Sequence, residues 1–507
     1  MKKFVTFILM IFSFFILTSC HGAYSTRVVD VIYPETFDET KNYKIVFWAK
    51  NDSRNDQLEV YQKAIADFQK IYTNIEIELK NYTDYGLIYN DVIVNIPTRT
   101  TPNVCIAYPD HVATYLEGTN VVADLDQLMS NSSYGLGGKD VKFDSVKKEE
   151  IVKKFLDEGL INGRQGVLPF VRSSEALYIN KDYVEKLGFN IPNVPTWDWV
   201  WEVCQKAIDE NNTNKVLYPL IYKSSDNMFI SYKKQMNQAF TENSQVKFLN
   251  DETKTYLLDL YDKSNNKNLF STFKQVSYPA NFLNKWQCVM AVDSTAGATW
   301  MGYGASTHDA GSQAEGEPFE TVVRVIPQVD DKNIKMISQG PSICVFGKED
   351  KDEVVASWLF AQFLLTNDIQ IGYSSTEGYV PVTNKAINST EYKNYLNSTT
   401  ENKVKLQASK LVIDNIDNTF ITEVYTGSTY ARNAASYLIE AVVMKNSPYN
   451  TSEKIDDLYV RTIRYNNLAQ TEELNYFVVV LSVFLAAIGI IVIMLGAKLI
   501  KILRKKE

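Results

Sequence analysis

Hydrophobic and polar positions near the start of the chain follow two different periods. An apolar run over residues 43–48 predicts a short buried strand. From about Asp56 to Tyr72 the apolar residues recur every three or four positions, which predicts a helix with one buried face. Ile75, Ile77 and Leu79 then alternate with polar residues, as a strand does. Strand, helix and strand in this order predict a parallel pair joined by a crossover helix.

The same alternation of elements continues along the chain and predicts an α/β fold. A helix over 83–94 leads to the buried strand Val104–Ala107, so the first unit reads as a doubly wound sheet with its ligand edge where the strands end. A second unit begins with apolar runs at 166–170 and 176–181 and a helix capped by Thr196. The remaining predictions are strands at 288–292, 322–326 and 343–346, a helix at 352–365, and a surface insertion or loose connection at 386–403.

The amino-terminal residues depart from this pattern and predict an export signal. Lys2 and Lys3 precede an apolar stretch over 4–17, and the stretch ends in Leu17-Thr18-Ser19-Cys20. The stretch is too short to span a bilayer comfortably, and small residues before a cysteine are typical of a lipoprotein processing site. We expect a signal peptide over 1–19, a lipid on Cys20 and a linker over 20–40; the alternative is an uncleaved anchor.

The carboxyl-terminal residues predict a second membrane attachment. Residues 476–497 contain no charged side chain, and the tail 498–507 is basic. Such a segment is long enough to span a bilayer, and the basic tail is expected on the cytoplasmic side. The predicted location is therefore the outer face of the cell membrane, lipid-anchored at Cys20 and spanning once near the carboxyl end. A buried core helix is the alternative for 476–497.

Composition excludes several classes of function. The formal net charge is -8 although the tail is basic, so the exported part is acidic and nucleic acid is an unsuitable partner. The four cysteines after Cys20 stand among apolar neighbours, which favours buried thiols over disulfides. Only three histidines are present and none has a neighbouring ligand pair, so we expect no metal site and no cofactor. The cysteines are Cys105, Cys204, Cys288 and Cys344.

Several short segments occur in an order that is more specific than any one of them. They are Lys44-Ile45-Val46-Phe47-Trp48, Pro102-Asn103-Val104, Val122-Ala123-Asp124-Leu125, Leu168-Pro169-Phe170 with Leu177-Tyr178-Ile179-Asn180-Lys181, Pro195-Thr196-Trp197, Met290-Ala291-Val292 and Gly378-Tyr379-Val380-Pro381-Val382. This order resembles the extracellular solute-binding proteins of ATP-binding-cassette (ABC) importers, in the branch that includes maltose- and glycerol-phosphate-binding proteins. The carboxyl-terminal hydrophobic segment is a departure from ordinary members.

The resemblance implies a two-lobed periplasmic-binding-protein-like fold with a ligand cleft between the lobes and hinge closure on binding. We expect lobe 1 to contain residues 41–155 and 324–365. Lobe 2 is expected to contain residues 156–323 and 366–465. The expected partners are a small-molecule solute, ABC permease subunits and the membrane.

The resemblance also implies ligand contacts from the first lobe. Trp48 ends the first strand, where its ring would stack on a sugar or pack in the core. Tyr108 and Asp110 follow the strand Val104–Ala107, although Asp110 also suits a helix N-cap. Phe170 stands where relatives pack an aromatic ring on the ligand. Leu168 replaces an acid of the maltose binders, so their ligand chemistry is not expected to carry over unchanged.

Further candidate contacts come from the second lobe and the hinge. Arg172 and Ser173 offer hydrogen-bond donors, although Arg172 also reads as a salt-bridge residue. A second group follows the 288–292 strand, at a position that reaches the ligand in relatives, and its Ser-Thr-Ala-Gly run also suits a helix start. The remaining candidates are a glycine turn beside the hinge and a late arginine, which a surface position would also explain. These residues are Asp293, Ser294, Trp300, Gly340 and Arg432.

The predicted function is the capture of a sugar or oligosaccharide for import, without covalent chemistry. A polyol phosphate is the second candidate, which would need Arg172 or Arg432 to supply a guanidinium fork. An extracellular glycosidase would need two carboxylates across a cleft, for which only Asp110 and Asp293 come into question. A surface sensor or adhesin is the remaining alternative, favoured by the double membrane attachment.

Overall fold

The computed structural model describes residues 31–51, 55–118, 120–211, 215–272, 278–305, 317–466 and 468. The predicted signal peptide 1–19, the lipidation site Cys20, the first part of the linker, the spanning segment 476–497 and the tail 498–507 lie outside these residues. Within the described part no single helix has the length and apolar composition to cross a membrane. The helices Lys351–Phe363 and Asn367–Ser374 meet those criteria only as a pair, which is bent by 60°.

Strands and helices alternate along most of the described chain. The strands are β1 (Tyr43–Lys50), β2 (Ile75–Tyr82), β3 (Val104–Ala107), β4 (Leu160–Ile161), β5 (Arg164–Gln165), β6 (Leu168–Pro169), β7 (Val171–Arg172), β8 (Glu175–Asn180), β9 (Leu220–Tyr222), β10 (Thr241–Glu242), β11 (Gln245–Val246), β12 (Phe270–Thr272), β13 (Met290–Ser294), β14 (Thr321–Val325), β15 (Met336–Ile337), β16 (Ser342–Val345), β17 (Val380–Pro381) and β18 (Thr419–Phe420).

The helices connect these strands and cover the sheets. The α-helices are Asp56–Ile71, Tyr85–Asn95, Pro109–Tyr115, Leu125–Ser130, Lys153–Asp157, Lys181–Lys186, Trp197–Asp209, Ser225–Gln235, Asp251–Tyr261, Ala280–Leu283, Lys351–Phe363, Asn367–Ser374, Asn384–Asn388, Thr390–Leu396, Lys403–Asp414, Ser428–Val443 and Ser452–Tyr465. Thr196 caps the helix Trp197–Asp209 by accepting a hydrogen bond from the backbone of Trp199, which confirms the predicted cap.

The first sheet has the strand order β2-β1-β3-β16-β6. Strand β1 is parallel to β2 and β3, as the strand-helix-strand pattern predicts, and β16 runs antiparallel to β3 and β6. The helix Asp56–Ile71 buries Tyr61, Ala64 and Phe68, which recur every three or four residues on one face. This periodicity places a continuous apolar core between the sheet and its helices.

The second sheet has the strand order β12-β9-β13-β8-β14 and buries both of its faces. Alternate residues of β8 enter different cores: Leu177 and Ile179 lie in one, and Ala176 and Tyr178 lie in the other. Side chains of a strand point alternately to the two faces of its sheet, so a strand covered on both sides reads as a continuous apolar run. Strand β13 shows the same division of its residues.

The two cores show on which sheet the segments near the predicted lobe limits pack. Residues 156–171 and 366–382 were assigned to lobe 2, but Leu168, Phe170 and Tyr373 are buried in the core of the first sheet. The reason is that β6 pairs with β16 at the edge of that sheet, so the residues next to β6 in the sequence lie beside the same sheet. The packing favours chain crossings near 172–175 and 326–341, and the predicted lobe limits stay a prediction.

Two smaller predictions have clear outcomes. The cysteines Cys105, Cys204, Cys288 and Cys344 are free and buried, which confirms the preference for buried thiols. Of the two alternatives for 386–403, the loose connection is wrong, because the helices Asn384–Asn388 and Thr390–Leu396 occupy most of the segment, and the surface insertion stays a prediction. Tyr392 is fully buried against Ile371 and Ala386, and this apolar contact fixes the segment to the domain.

Phe170 lies inside the first core and not at a ligand surface. Its side chain is 0% exposed, and its ring centroid lies 4.6 Å from that of Tyr373 and 6.0 Å from that of Tyr61. Its backbone carbonyl accepts a hydrogen bond from the Gln370 side chain at 2.7 Å. The predicted role of Phe170 as a ligand platform is therefore wrong. Phe170 directly follows β6, and its ring is enclosed in the core of the first sheet, where no solute reaches it.

Phe170→Ala is expected to destabilise the protein by roughly 3–5 kcal/mol, because it leaves a cavity among aromatic rings. Urea unfolding of the exported part measures this loss. Leu87→Ala is the control, since Leu87 belongs to the same lobe and is 49% exposed. If Phe170→Ala left the free energy of unfolding unchanged, Phe170 would not be a core residue, and its predicted role at the ligand surface would stand.

Candidate ligand-binding site

Polar side chains from both sheets meet in a cavity of about 170 Å³. Tyr108 follows β3, Ser224 follows β9, and Asp293 and Ser294 end β13. The carboxyl ends of strands are where open α/β sheets bind ligands, so this is the edge that the sequence predicts. The cavity is lined by Tyr108, Ser173, Glu175, Ser224, Asn227, Asp293, Ser294, Ala296, Gln339, Gly340, Pro341 and Tyr379.

The wall from the first lobe consists mainly of Tyr108, Gly340 and Tyr379. Tyr108 is the N-cap residue of the helix Pro109–Tyr115, and its ring centroid lies 4.8 Å from that of Tyr85. Burial raises the pKa of Tyr108 to about 12, so its hydroxyl stays protonated at neutral pH. The N-cap alternative for Asp110 is wrong, because Asp110 lies within the first turn of that helix.

Gly340 allows a close approach that no other residue permits. Its φ is +150°, and a Cβ at this position would lie 2.4 Å from the carbonyl oxygen of Val171. A side chain there would therefore collide with the backbone, whereas glycine has none. The predicted glycine turn beside the hinge thus has a physical cause, and it brings Gln339 and Pro341 to the rim of the cavity.

Glu175 supplies a buried carboxyl group to the wall from the second lobe. It begins β8 and is 2% exposed. Its Oε2 accepts a hydrogen bond from the Tyr222 hydroxyl at 2.6 Å, and its Oε1 accepts one from Asn227 Nδ2 at 3.2 Å. Burial raises the pKa of Glu175 to about 8. Sequence reasoning missed this residue, although a single acid before the apolar run 176–179 was a signal, because burying an acid is costly.

Asp293 is the second acid of this wall. Burial raises its pKa to about 6, against the opposing effects of the Ser294 backbone hydrogen bond and the positive charge of Lys223. Ser294 caps the short 3-10 helix Thr295–Trp300 by accepting from the backbone of Ala296 at 3.2 Å, which confirms the expected helix start. Asp293 and Ser294 are thus held at the end of β13 by local hydrogen bonds.

Gln339 joins the two lobes beside the cavity. Its backbone pairs with Ser173, with nitrogen-to-oxygen distances of 2.7 and 3.1 Å. Its side-chain amide donates to Ser294 Oγ at 3.2 Å and accepts from Asn227 Nδ2 at 2.9 Å. Sequence reasoning missed Asn227 and considered Gln339 only as part of the glycine turn, because the contacts of both side chains arise only where distant segments meet. Together these bonds link the crossing segment to the second-lobe wall.

Arg432 forms a second connection, here called the Arg432 clasp, with Asp226 and Asp110. Its Nη2 lies 2.9 Å from an Asp226 carboxylate oxygen, and its Nε lies 3.5 Å from one of Asp110. Asp110 belongs to the first lobe, whereas Arg432 lies on the helix Ser428–Val443, which packs in the second core. Thr429 adds a hydrogen bond to the Asp110 carbonyl at 3.2 Å. Neither Arg432 nor Asp110 lines the cavity.

Three other predicted contacts also lie outside the cavity. Arg172 is fully buried, and its Nε lies 2.8 Å from a carboxylate oxygen of Glu158, so the salt-bridge alternative holds. Trp48 is 6% exposed, with Lys80 Nζ 4.5 Å above its ring, so it packs in the core. Trp300 packs against the core on one face of the second sheet. The position of an aromatic or basic residue near a strand end therefore does not show whether its side chain faces the cavity or the core, or which group it contacts.

The structure therefore brings together five of the predicted contact residues. They are Tyr108, Ser173, Asp293, Ser294 and Gly340. Two further cavities, of about 250 and 360 Å³, flank the segment 420–424, away from the ends of β3, β9 and β13. Among the described residues no group of three or more His, Cys, Asp or Glu side chains is placed to hold a metal ion.

Glu175 is expected to make stability depend on pH. The folded protein binds a proton at Glu175 up to about pH 8, whereas the unfolded chain releases it near pH 4.5. The free energy of unfolding should therefore fall as pH rises through this window, by up to about 1.4 kcal/mol per pH unit. Glu175→Gln should remove most of that fall.

Urea unfolding between pH 5 and 8 measures this dependence. Glu185→Gln is the matched control, since Glu185 lies on the exposed surface of the same lobe. Asp293 acts in the same direction at lower pH and is present in every variant, so the difference between the wild type and Glu175→Gln isolates Glu175. Parallel curves for the wild type and Glu175→Gln would contradict a buried, protonated Glu175.

Comparison with known proteins identifies the family. Residues 63–400 match the family described as bacterial extracellular solute-binding protein, which is more than half of the 507-residue chain. No curated protein matches the chain by sequence.

Solved structures with the same fold are numerous and distant in sequence. UgpB from Mycobacterium tuberculosis, in complex with glycerophosphocholine, is 16% identical with a TM-score of 0.66, over 84% of this chain and 99% of that chain. MalE from Xanthomonas citri, a sugar-binding protein, is 13% identical with a TM-score of 0.63, over 85% and 99%. Maltose-bound MalE3 from T. maritima is 16% identical with a TM-score of 0.60, over 82% and 99%. The chain thus belongs to the bacterial extracellular solute-binding protein family and has its two-lobed α/β fold.

Proposed function

We propose that this protein captures a small polyhydroxylated solute in the cavity between its lobes and presents it to an ABC permease. The observation that carries the proposal is the cavity at the ends of β3, β9 and β13, to which both lobes contribute. Its carboxyl, amide and hydroxyl groups match the donors and acceptors of a sugar. Tyr108 and Tyr379 add aromatic rings, which offer apolar faces to CH groups.

The size of the cavity favours a small solute. Its volume of about 170 Å³ is below the roughly 300–1,000 Å³ that is usual for pockets of drug-sized ligands. A single sugar ring suits this arrangement of the lobes better than an oligosaccharide does. A longer ligand would need the lobes further apart, which would separate the partners of the Arg432 clasp.

The acids of the cavity argue against a glycosidase. Glycoside hydrolysis needs two carboxyl groups that flank the scissile bond. Asp110 takes part in the clasp outside the cavity, and Glu175 and Asp293 both belong to the second-lobe wall. Binding without covalent chemistry is therefore the function that this arrangement supports best.

Delivery from the membrane surface completes the proposal. It is supported by the predicted lipid on Cys20 and the predicted span 476–497, which would keep the binding domain on the outer face of the cell. A double attachment would hold the protein permanently near its permease. The family to which the chain belongs is extracellular, in agreement with this location.

Asp110→Asn is expected to loosen the closed arrangement, because it weakens the first-lobe half of the Arg432 clasp. Solute affinity should fall by about threefold to tenfold, since a smaller fraction of the protein is then closed. Calorimetry with a sugar found by a thermal-shift screen measures the affinity. Spin labels on Leu87→Cys and Met444→Cys, one on each lobe, report the distance between the lobes. Both sites are exposed, and the four native thiols of the described residues are buried.

The control is Asp67→Asn, which removes an exposed ion pair with Lys63 and Lys70 inside the first lobe. Solute should shorten or narrow the distance distribution in the wild type and in the control. A distance distribution that saturating solute leaves unchanged would contradict capture by closure of the lobes. An affinity that Asp110→Asn leaves unchanged would contradict the role of the clasp.

A further inference from the structure

Two of the three serines that line the cavity donate their hydroxyl hydrogen to the protein. Ser224 Oγ donates to a carboxylate oxygen of Asp226 at 2.6 Å, and Ser173 Oγ donates to the Gln339 carbonyl at 3.3 Å. A serine hydroxyl has one hydrogen and two lone pairs. Ser173 and Ser224 therefore face a solute with oxygen lone pairs, which accept hydrogen bonds.

Ser294, the third serine, has the opposite arrangement. Its Oγ accepts from the side-chain nitrogen of Gln339 and from the backbone N–H of Ala296, each at 3.2 Å. These two bonds occupy both lone pairs of the oxygen, and the hydroxyl hydrogen has no acceptor among the described residues. Because Ser294 lines the cavity, this hydrogen is left for a solute.

The direction of the bond between Gln339 and Ser294 depends on which way the Gln339 amide points. Its Oε1 accepts from Asn227 Nδ2 at 2.9 Å, and its Nε2 lies 3.4 Å from the carbonyl oxygen of Ser174. A carbonyl oxygen accepts and cannot donate. The amide nitrogen of Gln339 must therefore lie on the side of Ser174 and Ser294.

The Asn227 amide is fixed from the other end, by the Arg432 clasp. Its Oδ1 accepts from Arg432 Nη2, and a guanidinium only donates, so Nδ2 points to Glu175 and Gln339. Asn227 is 4% exposed, and its amide is held between these three partners. The bonds thus run in one direction, from Arg432 through Asn227 and Gln339 to Ser294.

We propose that Asn227 and Gln339 are positioning residues that fix Ser294 as a hydrogen-bond donor to the solute. This inference rests on the proposed capture of a small polyhydroxylated solute and deepens it. The solute presents an acceptor oxygen to Ser294 and donates hydroxyl hydrogens to Ser173 and Ser224. A solute of the opposite pattern would place lone pair against lone pair in a buried site, which costs affinity.

Calorimetry on the full chain in nanodiscs, prepared without sugar-based detergents, tests this pattern. The first probes are glucose, galactose and mannose. For a sugar that binds, each hydroxyl group in turn is replaced by hydrogen or by fluorine, and a 5-thio derivative replaces the ring oxygen. Fluorine accepts a hydrogen bond and cannot donate one, whereas the hydrogen of a deoxy sugar does neither.

Ser294→Ala should weaken binding of the parent sugar by about threefold to tenfold. This loss should vanish for the one derivative that lacks the oxygen contacted by Ser294. If that oxygen is a hydroxyl, the fluoro derivative should bind the wild type at least about threefold more tightly than the deoxy derivative, because fluorine still accepts. At hydroxyls that Ser173→Ala and Ser224→Ala identify in the same way, fluorine should give no such advantage.

Gln339→Glu tests the positioning role, because a carboxylate accepts from both Asn227 and Ser294 and so turns the Ser294 hydrogen away from the cavity. At about pH 8, where the new carboxyl group is ionised, the advantage of fluorine should disappear. If the ring oxygen is the acceptor, Gln339→Glu should instead weaken the parent sugar at least as much as Ser294→Ala does. Gln245→Glu is the matched control, since Gln245 is exposed on the β10–β11 hairpin of the second lobe.

A melting curve at the pH of the titration verifies that each variant is folded. Asn227→Asp is the second variant for the positioning role. An aspartate accepts from Arg432 but cannot donate to Gln339, so the Gln339 amide turns around and accepts from Ser294. The loss expected for Gln339→Glu is therefore expected for Asn227→Asp as well.

The outcomes separate this inference from the proposed function. A bound sugar whose affinity Ser294→Ala leaves unchanged, or a deoxy derivative that binds as tightly as its fluoro counterpart at the hydroxyl contacted by Ser294, overturns the donor role but leaves solute capture standing. Selectivity that persists in both Gln339→Glu and Asn227→Asp overturns the positioning role. Absence of binding by every sugar overturns the proposed function, and this inference with it.

Discussion

The fold of this protein depends on the close contact between its crossing segments at Gly340 and Val171. A Cβ on Gly340 would meet the Val171 carbonyl at 2.4 Å, so the contact requires glycine. Ser173 and Gln339 pair next to it, and the buried ion pair of Arg172 and Glu158 lies against it. Buried ion pairs are stable only when further hydrogen bonds satisfy them, which here come from backbone carbonyls and from Ser342. This contact sets the two sheet edges opposite each other.

Arginines and acids have separate tasks around the cleft. Arg172 fixes the crossing segments, and Arg432 holds the lobes together through Asp110 and Asp226. Glu175 and Asp293 line the cavity, and among the described residues no lysine or arginine does. Burying a carboxyl group away from water is costly unless the group is hydrogen-bonded. A solute that donates hydrogen bonds to these two acids is therefore favoured. In the proposed function, the arginine ion pairs hold the lobes, and Glu175 and Asp293 contact the solute.

Much of the fold is readable from the sequence because apolar periodicity is local. The predicted strand 43–48 lies within β1, 75–79 lies within β2, and β3 matches its predicted bounds. Tyr108, Asp293 and Ser294 were predicted for the site because they follow strands that end at one edge. Glu158 and Arg172 show the limit of this reasoning, since a pairing between distant segments leaves no local pattern.

The side chains that were assigned wrongly share one cause. An aromatic ring at a strand end suits a core and a ligand equally, so Trp48 and Phe170 could not be separated by sequence. Glu175, Asn227 and Gln339 form a network only after the crossing segments meet. An acid at the start of an apolar strand was the one local sign of that network. Buried acids at strand ends therefore indicate a site more reliably than aromatic residues do in this chain.

A crystal structure of the exported part with its bound solute tests the position of the binding site most directly. Solute density is expected between Tyr108 and the pair Glu175 and Asp293, with hydroxyl groups within hydrogen-bonding distance of both acids and with the Arg432 clasp closed. Solute bound instead in the larger cavity near Phe240 and Phe420, which encloses about 360 Å³, would contradict the central claim.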